Sequence, residues 1–294
     1  MTSVNVLLLG HSGFFGTNFQ KEFTQEFKEK QIEDNEVTLY TISRINSKES
    51  NIRVFRHDGK LCSASKESRF DFIINAVAKR SGNPPIPDRL VKESCLDYPA
   101  SIISRLANKE TTVINLSTYI QNKEGIRGKT TEPYAFYKNQ LSEKLDIDSK
   151  LGKHKLIDLY IFTLYGPGDH PNRLIPKILQ SAREEFKLEM TPGRQLLNLL
   201  HVSDLSKEIL ALIRKGNVIR NSKFEMWDPN HTFELREWVA RIEKTLNRDV
   251  KCEWGSLDYN GHEMMTHWPR VFAQFPFMNP RTEFEKGILS LWRD

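Results

Sequence analysis

Tyr134 and Lys138 lie four residues apart in "TEPYAFYKNQLSEKL", a helical pattern that puts both side chains on one face. A phenol with the ordinary pKa of about 10 cannot trade protons at neutral pH unless its phenolate is stabilised. An ammonium one helical turn away provides that stabilisation. Sixteen residues before Tyr134, "NLST" ends in Ser117 and Thr118, either of which offers a hydroxyl to hold a carbonyl oxygen beside the phenol. Such a group could pass a proton to or from oxygen while the attached carbon gains or loses hydride. Tyr137 adjoins Lys138, points elsewhere and reads as packing.

A second chemical group precedes these. In "VNVLLLGHSGFFGTNFQKEF", Gly10, Gly13 and Gly16 stand three apart between an apolar, strand-favouring run and a helical pattern. Glycines there make either a plain tight turn or a cradle for phosphate. Strand, glycines and helix in that order favour the cradle: the first glycine permits the turn and the second lets backbone approach a pyrophosphate. The third lets helix pack on strand, and amides at the helix start meet the negative charge. Cofactor preference is written at the end of the next strand, where an acid binds a ribose 2′-hydroxyl and a basic residue accommodates a 2′-phosphate. Here "VTLYTISR" ends in Ser43 and Arg44 with no acid, so NADP(H) is expected, with NAD as the alternative.

These residues need a scaffold. "VNVLLLG", "EVTLYTISR", "NIRVFRHD", "DFIINAVA", "TVINLST" and "LIDLYIFTLYG" read as strands separated by charged amphipathic stretches. Continuous apolar strands alternating with helices imply a parallel sheet covered on both faces, an α/β, doubly wound, Rossmann-type architecture. After Gly168 the texture changes to helices such as "RLIPKILQSAREE", "VSDLSKEILALIRKG" and "FELREWVARIEKTL". The expected division is a dinucleotide-binding unit at 1–168 and a smaller, mostly helical substrate unit at 169–294, with part of 195–225 returning to the first.

Composition excludes several classes. At 294 residues, 38% hydrophobic and 28% charged, the chain reads as an ordinary globule with a substantial core. Its +5 net charge is scattered among 38 acids, so no nucleic-acid partner is expected. Cys62, Cys95 and Cys252 have neither disulfide nor metal-knuckle spacing and suggest a reducing, cytoplasmic setting. The opening apolar run falls far short of the about 20 residues that span a bilayer, so no membrane association is expected. In "HEMMTH" the two histidines are five apart, about 140° round a helix, so no metal site is expected.

With its glycine loop, "NLST" and Tyr-x-x-x-Lys, the chain resembles the extended short-chain dehydrogenases/reductases, the NAD-dependent epimerase/dehydratase family. Phe14 and Phe15 occupy the places of that family's usual "GF(I/L)G". "DFIINAVAKR" resembles its fourth strand, and "QLLNLLHVSDLSKEI" its "N-F-I-(H/Y)-V-D-D" block with Asn198, His201, Val202 and Asp204 in register. His201 itself reads as a packing histidine. "LYGPGDHPNRLIPKIL", "WGSLDYNGHEMM" and "FPFMNPRTEFEKGI" extend the likeness over nearly the whole chain, with the closest echo in the reductases that make CDP-abequose and CDP-paratose.

The resemblance implies an NADP(H)-dependent reductase of a 4-keto nucleotide-linked sugar. Tyr134 is then the acid/base, Lys138 its pKa-lowering partner and ribose ligand, and Thr118 the orienting hydroxyl. It places the cofactor on Gly10, Gly13, Phe14, Phe15, Gly16, Ser43, Arg44, Asp58, Ala76, Ala78, Tyr134 and Lys138. The substrate falls to Arg80, Tyr119, Arg173, Arg194, Asn198 and Tyr259. Two other functions share the scaffold: a cofactor-retaining epimerase or dehydratase, and a non-catalytic dinucleotide-binding regulator. Tyr119 and Ile120, where dehydratases carry Asp-Glu, count against dehydration. Tyr160, Leu197 and Asn260 stand where relatives carry arginines, natural pyrophosphate clamps, so Arg173, Lys177 or Arg194 must supply the charge. Cys95 stands where relatives carry asparagine in the fourth helix, which implies an altered proton relay. The helices bearing "YAFYKNQLSEKL" and "RLVKESCLDYPASIISRL" resemble the family's dimer pair, implying a homodimer.

Overall fold

The computed structural model describes residues 4–29, 37–42, 54–56, 61–62, 69–79, 86–216, 222–227 and 231–293. Ser43, Arg44, Asp58 and Arg80, expected in the cofactor and substrate sites, lie outside the described residues.

The first seven strands form most of one sheet: β1 (Val4–Leu9), β2 (Val37–Ile42), β3 (Val54–Arg56), β4 (Leu61–Cys62), β5 (Phe72–Asn75), β6 (Thr112–Thr118) and β7 (Lys155–Ile161). Then β8 (Thr163–Tyr165), β9 (Leu188–Met190) and β10 (Leu196–His201) leave it and β11 (Ser222–Met226) rejoins it. β12 (Thr232–Glu234) and β13 (Cys252–Trp254) lie outside, and β14 (Ala273–Gln274) closes its far edge. The spatial order is β14-β11-β7-β6-β5-β1-β2-β3-β4. The seven strands from β14 to β2 are parallel, whereas β3, within the expected strand "NIRVFRHD", pairs antiparallel and is followed by an unexpected β4.

Helices cover both faces, which is why the strands are apolar on both sides. Val6, Leu8, Ile114 and Leu116 pack toward α1 (Phe14–Glu29) through Phe19 and Phe23, and toward α6 (Val202–Lys215) through Leu205 and Ile209. On the other face Leu7, Leu9, Ile73 and Val113 meet Ile102 and Ile103 of α3 (Tyr98–Leu106) and Leu141 and Leu145 of α4 (Pro133–Lys150). A short α2 (Asp88–Lys92) runs into α3 through one π turn, Glu93–Asp97. A separate core joins α5 (Leu174–Glu184), α7 (Leu235–Leu246) and α8 (Phe284–Arg293) around Ile178, Trp238, Ile242 and Phe284, roofed by β10 between β8 and β12. No described helix is long and apolar enough to cross a membrane.

The chain lays β2 on one side of β1 and β5 on the other. The crevice above that switch point, at the strands' carboxyl ends, is where such sheets take ligands.

Candidate active site

The glycine loop fills the switch point. Gly10 turns with φ +86°, and a Cβ there would lie 2.8 Å from the Ala76 carbonyl beyond β5, so loop and strand end touch only because no side chain intervenes. A Cβ on Gly16 would overlap the Gly10 carbonyl and come within 2.6 Å of His11 Cα, so this glycine lets α1 close on its own loop. Gly13 differs: its nearest neighbour would be the Gly10 oxygen at 3.3 Å, with nothing else within 4 Å. That open face lies beside the first turn of α1, whose unbonded amides carry the positive end of the helix dipole.

Of the two phenylalanines, Phe15 is 7% exposed and stacks on Phe19 at 5.6 Å, so its ring serves the core and only its backbone is free to meet a cofactor. Phe14 is half-buried, with the Arg173 guanidinium 6.0 Å from its ring centre. Asn18 of α1 donates to Pro167 O at 2.8 Å and fastens the glycine loop to the "YGPGD" turn. Arg173, held by Asp169 at 3.4 Å, thereby stands beside the helix start.

β6 ends at Thr118, whose amide donates to Gln121 Oε1 at 2.9 Å as the chain bends into Tyr119–Gly125. α4 starts where Glu132 caps the Ala135 amide at 2.8 Å and Pro133 takes a first-turn position, so Tyr134 lies in the first turn and Lys138 one turn on. Lys138 is 4% exposed, donates Nζ to Leu116 O, and sits 5.7 Å from the centre of the Tyr134 ring. Burial pushes its ammonium below the ordinary lysine range, while Cys95 and Asp158 pull the other way. Tyr137 turns away and donates to Asp88 at 2.6 Å. Cys95 sits in the π turn, fully buried, with its Sγ 3.6 Å from Lys79 O. π turns recur at functional sites, and this one carries Cys95 to the far side of Lys138.

The structure separates the two hydroxyls that sequence left open. Ser117 points into the α4 face and donates to Asp158 Oδ1 at 2.6 Å, whereas Thr118 stands at the strand end. Asn75, Asn115 and Asp158 are register partners across β5, β6 and β7, linked by bonds of 2.8 Å each. Ser142 of α4 donates to Asp158 Oδ2 and lies 3.4 Å from the Tyr160 hydroxyl. Sequence reading missed this network; a lone acid within "LIDLYIF" and alternating Asn and Ser within "INLS" were its signals. Tyr160 is 2% exposed with its phenol pushed up by burial, and it faces α4 beside Ser142.

The substrate-side expectations divide. Tyr119 lies between Phe162, stacked at 4.6 Å, and Trp268 at 5.7 Å. These rings, with Asn122, Glu225, Trp227 and Arg270, line a cleft just past Thr118. Asn122 is 4% exposed and its Nδ2 has no partner among the described residues. Burial raises the Glu225 carboxyl, although Val271 and Phe272 amides bond it. Arg194 donates its amide to the Tyr259 hydroxyl at 3.1 Å, so those two meet, but neither lines the cleft. Asn198 is buried and donates to Thr232 at 2.7 Å, tying β10 to β12. Leu197 packs on the second core and Asn260 bonds Glu263. His201 caps α6 through the Ser203 amide, with burial lowering its pKa. Ala78 is exposed just past the end of β5.

The sequence matches the family described as the NAD dependent epimerase/dehydratase family over residues 6–225. The chain belongs to that family. This member of it is 24% identical over 276 residues to a CDP-abequose synthase of Yersinia pseudotuberculosis, covering 89% of this chain and 91% of that protein. Its fold is similar to that of a UDP-N-acetylglucosamine 4-epimerase from Methanobrevibacter ruminantium M1, solved with UDP-N-acetylmuramic acid. That likeness has a TM-score of 0.73 at 15% identity and covers 100% and 99% of the two chains. It is also similar to a dTDP-glucose 4,6-dehydratase from Bacillus anthracis in complex with NAD, with TM-score 0.72, 18% identity and 99% and 96% coverage. The family member described above is an NAD(P)-dependent enzyme.

Proposed function

We propose that this enzyme reduces a 4-keto nucleotide-linked sugar with NADPH. The carrying observation is the placement of Lys138, fixed to the carbonyl two residues before Thr118 and one helical turn from Tyr134, at the strand end beside the glycine loop. The open face of Gly13 and the α1 terminus fit a dinucleotide pyrophosphate, and the small Ala76 and Ala78 border it. A nicotinamide bound there supplies the hydride. Thr118 holds the sugar's carbonyl oxygen, Tyr134 donates the proton, and Lys138 lowers the phenol's pKa and reaches the nicotinamide ribose. The aromatic cleft beyond Thr118, lined by Tyr119, Phe162, Trp227 and Trp268, seats the hexose, and Arg173 serves the phosphates.

Tyr119 is packed between rings and Ile120 is buried, so neither performs the proton work of a dehydratase. Tyr134 and Lys138 are both retained and in contact, which weighs against a purely regulatory scaffold. We take residues 1–168 as the cofactor unit and 169–294 as the substrate unit, with part of 195–225 returning to the first, in a cytoplasmic homodimer. Phe136 and Ile147 on α4 and Leu151 at its C-cap, 43%, 57% and 68% exposed, supply an apolar stripe for the partner.

Mass spectrometry of the gently purified native protein tests this reading. It predicts bound NADP and a nucleotide-linked sugar, and then one reduced cofactor consumed per sugar converted. Conversion with no net cofactor consumption replaces the reductase by an epimerase, and finding neither ligand moves the balance to the regulator.

A further inference from the structure

Five carboxylates are buried among the described residues, and four of them have donors on both oxygens. Asp158 takes the Ser117 hydroxyl on one oxygen and the Ser142 hydroxyl on the other, and Asp204 takes the Thr282 amide on both. Glu208 takes the Asn279 amide on Oε1 and the Met278 amide on Oε2, while Lys153 and Lys144 answer the two oxygens of Asp148. Glu225, 6% exposed, breaks the pattern. The Val271 amide at 3.0 Å and the Phe272 amide at 3.4 Å both donate to Oε1, and no described residue donates to Oε2. A buried acceptor left without a donor costs free energy, so this oxygen calls for one from outside the chain.

Glu225 lies in the last two residues of β11, at the same end of the parallel sheet as Thr118 on β6, and it lines the aromatic cleft past Thr118. The other walls are rings. Tyr119 and Phe162 are near-parallel, 9° apart, and Trp268 tilts against Tyr119. The negative faces of such rings accept the C–H side of a pyranose, whose edge then presents hydroxyls to the few polar groups present. A donor for Oε2 is either a hydroxyl or an ammonium, and Arg270 decides between them. Its guanidinium already covers the Trp227 ring, 3.7 Å from the ring centre, in the same cleft. A second cation there is repelled, whereas a neutral hydroxyl is not.

We propose that Glu225 is a specificity-determining residue whose Oε2 accepts a hydrogen bond from one hydroxyl of the hexose. This rests on the reading of the substrate as a nucleotide-linked sugar seated in the cleft.

The test is a binding measurement on the full-length protein. UDP-glucose, CDP-glucose and dTDP-glucose are each titrated by calorimetry beside the matching nucleoside diphosphate, and the ratio of the two affinities gives the sugar's contribution. Glu225→Gln keeps the Oε1 acceptor for both amides and turns Oε2 into a donor. The ratio is expected to fall at least about tenfold in this variant, with diphosphate affinity within about twofold of native. Glu225→Asp keeps the charge but withdraws it by one methylene; it is expected to lose the ratio too, and carries the test where Glu225→Gln does not fold. Removing the sugar's hydroxyls one at a time is expected to reveal one position that costs native protein at least about tenfold and costs the variant nothing further. A ratio within about twofold of native in a folded variant overturns the inference and leaves the nucleotide-sugar reading standing. Native protein that favours none of the three sugars over its diphosphate contradicts that reading, and the inference with it.

Discussion

At the scale of single residues, the chemistry turns on how a lysine sealed from water keeps its proton. Burial lowers the Lys138 pKa, so its ammonium is lost at lower pH than the ordinary lysine value of about 10.4. Reduction needs Tyr134 protonated and its phenolate stabilised by that ammonium, so turnover falls on the alkaline side. The pH profile of kcat is expected to show that limb below the ordinary lysine range; a limb at or above it would mean that Lys138 is not the partner. The placement of Tyr134 beside Lys138 was legible because a spacing of four puts both on one helix face. Asp158 was not, since a single acid in a strand says nothing of the hydroxyls that fold against it. The burial of Tyr160 was not legible for a related reason: which face of β7 it occupies depends on register, and register puts it under α4.

At the scale of elements, the three glycines have separable duties. Gly10→Ala adds a side chain at φ +86° against the Ala76 backbone, and Gly16→Ala drives one into the loop. Each is expected to cost about 1–3 kcal/mol, read by thermal melting. Gly13→Ala meets one carbonyl at 3.3 Å and otherwise open space, so melting is expected to stay nearly unchanged while affinity for NADPH, measured by fluorescence titration, drops at least about tenfold. Equal melting losses in all three would make the loop a mere turn. The strand–helix alternation was readable from period alone, because a sheet buried on both faces demands apolar strands. The β3 strand was read within "NIRVFRHD", but its antiparallel direction, the two-residue β4 and the π turn at Glu93–Asp97 escaped that reading, each being too short to show a period.

At the scale of the whole molecule, β11 beside β7 and α6 on α1 bring the late sequence back onto the main sheet, with Arg214 paired to Glu26. The aromatic cleft draws on both halves for the same reason: Tyr119 and Phe162 come from strand ends in the first, and Trp227 and Trp268 from the second. Those distant partners could not be paired from sequence, although Tyr119 was chosen as a substrate residue. The exposed α4 stripe leads to a solution prediction. The native protein is expected to sediment at twice its 34.2 kDa chain mass, and Ile147→Glu to halve it; a native monomer would remove the dimer.

The central claim, that Tyr134 hands a proton to a sugar oxygen while hydride leaves the cofactor, is tested most directly by comparing native protein with Tyr134→Phe. Reduced-nicotinamide absorbance is followed with NADPH and a 4-keto nucleotide sugar, alongside NADPH affinity. Native enzyme is expected to consume NADPH. Tyr134→Phe is expected to turn over about 10²–10⁴-fold more slowly with affinity within about twofold. Undiminished consumption by Tyr134→Phe would contradict the account.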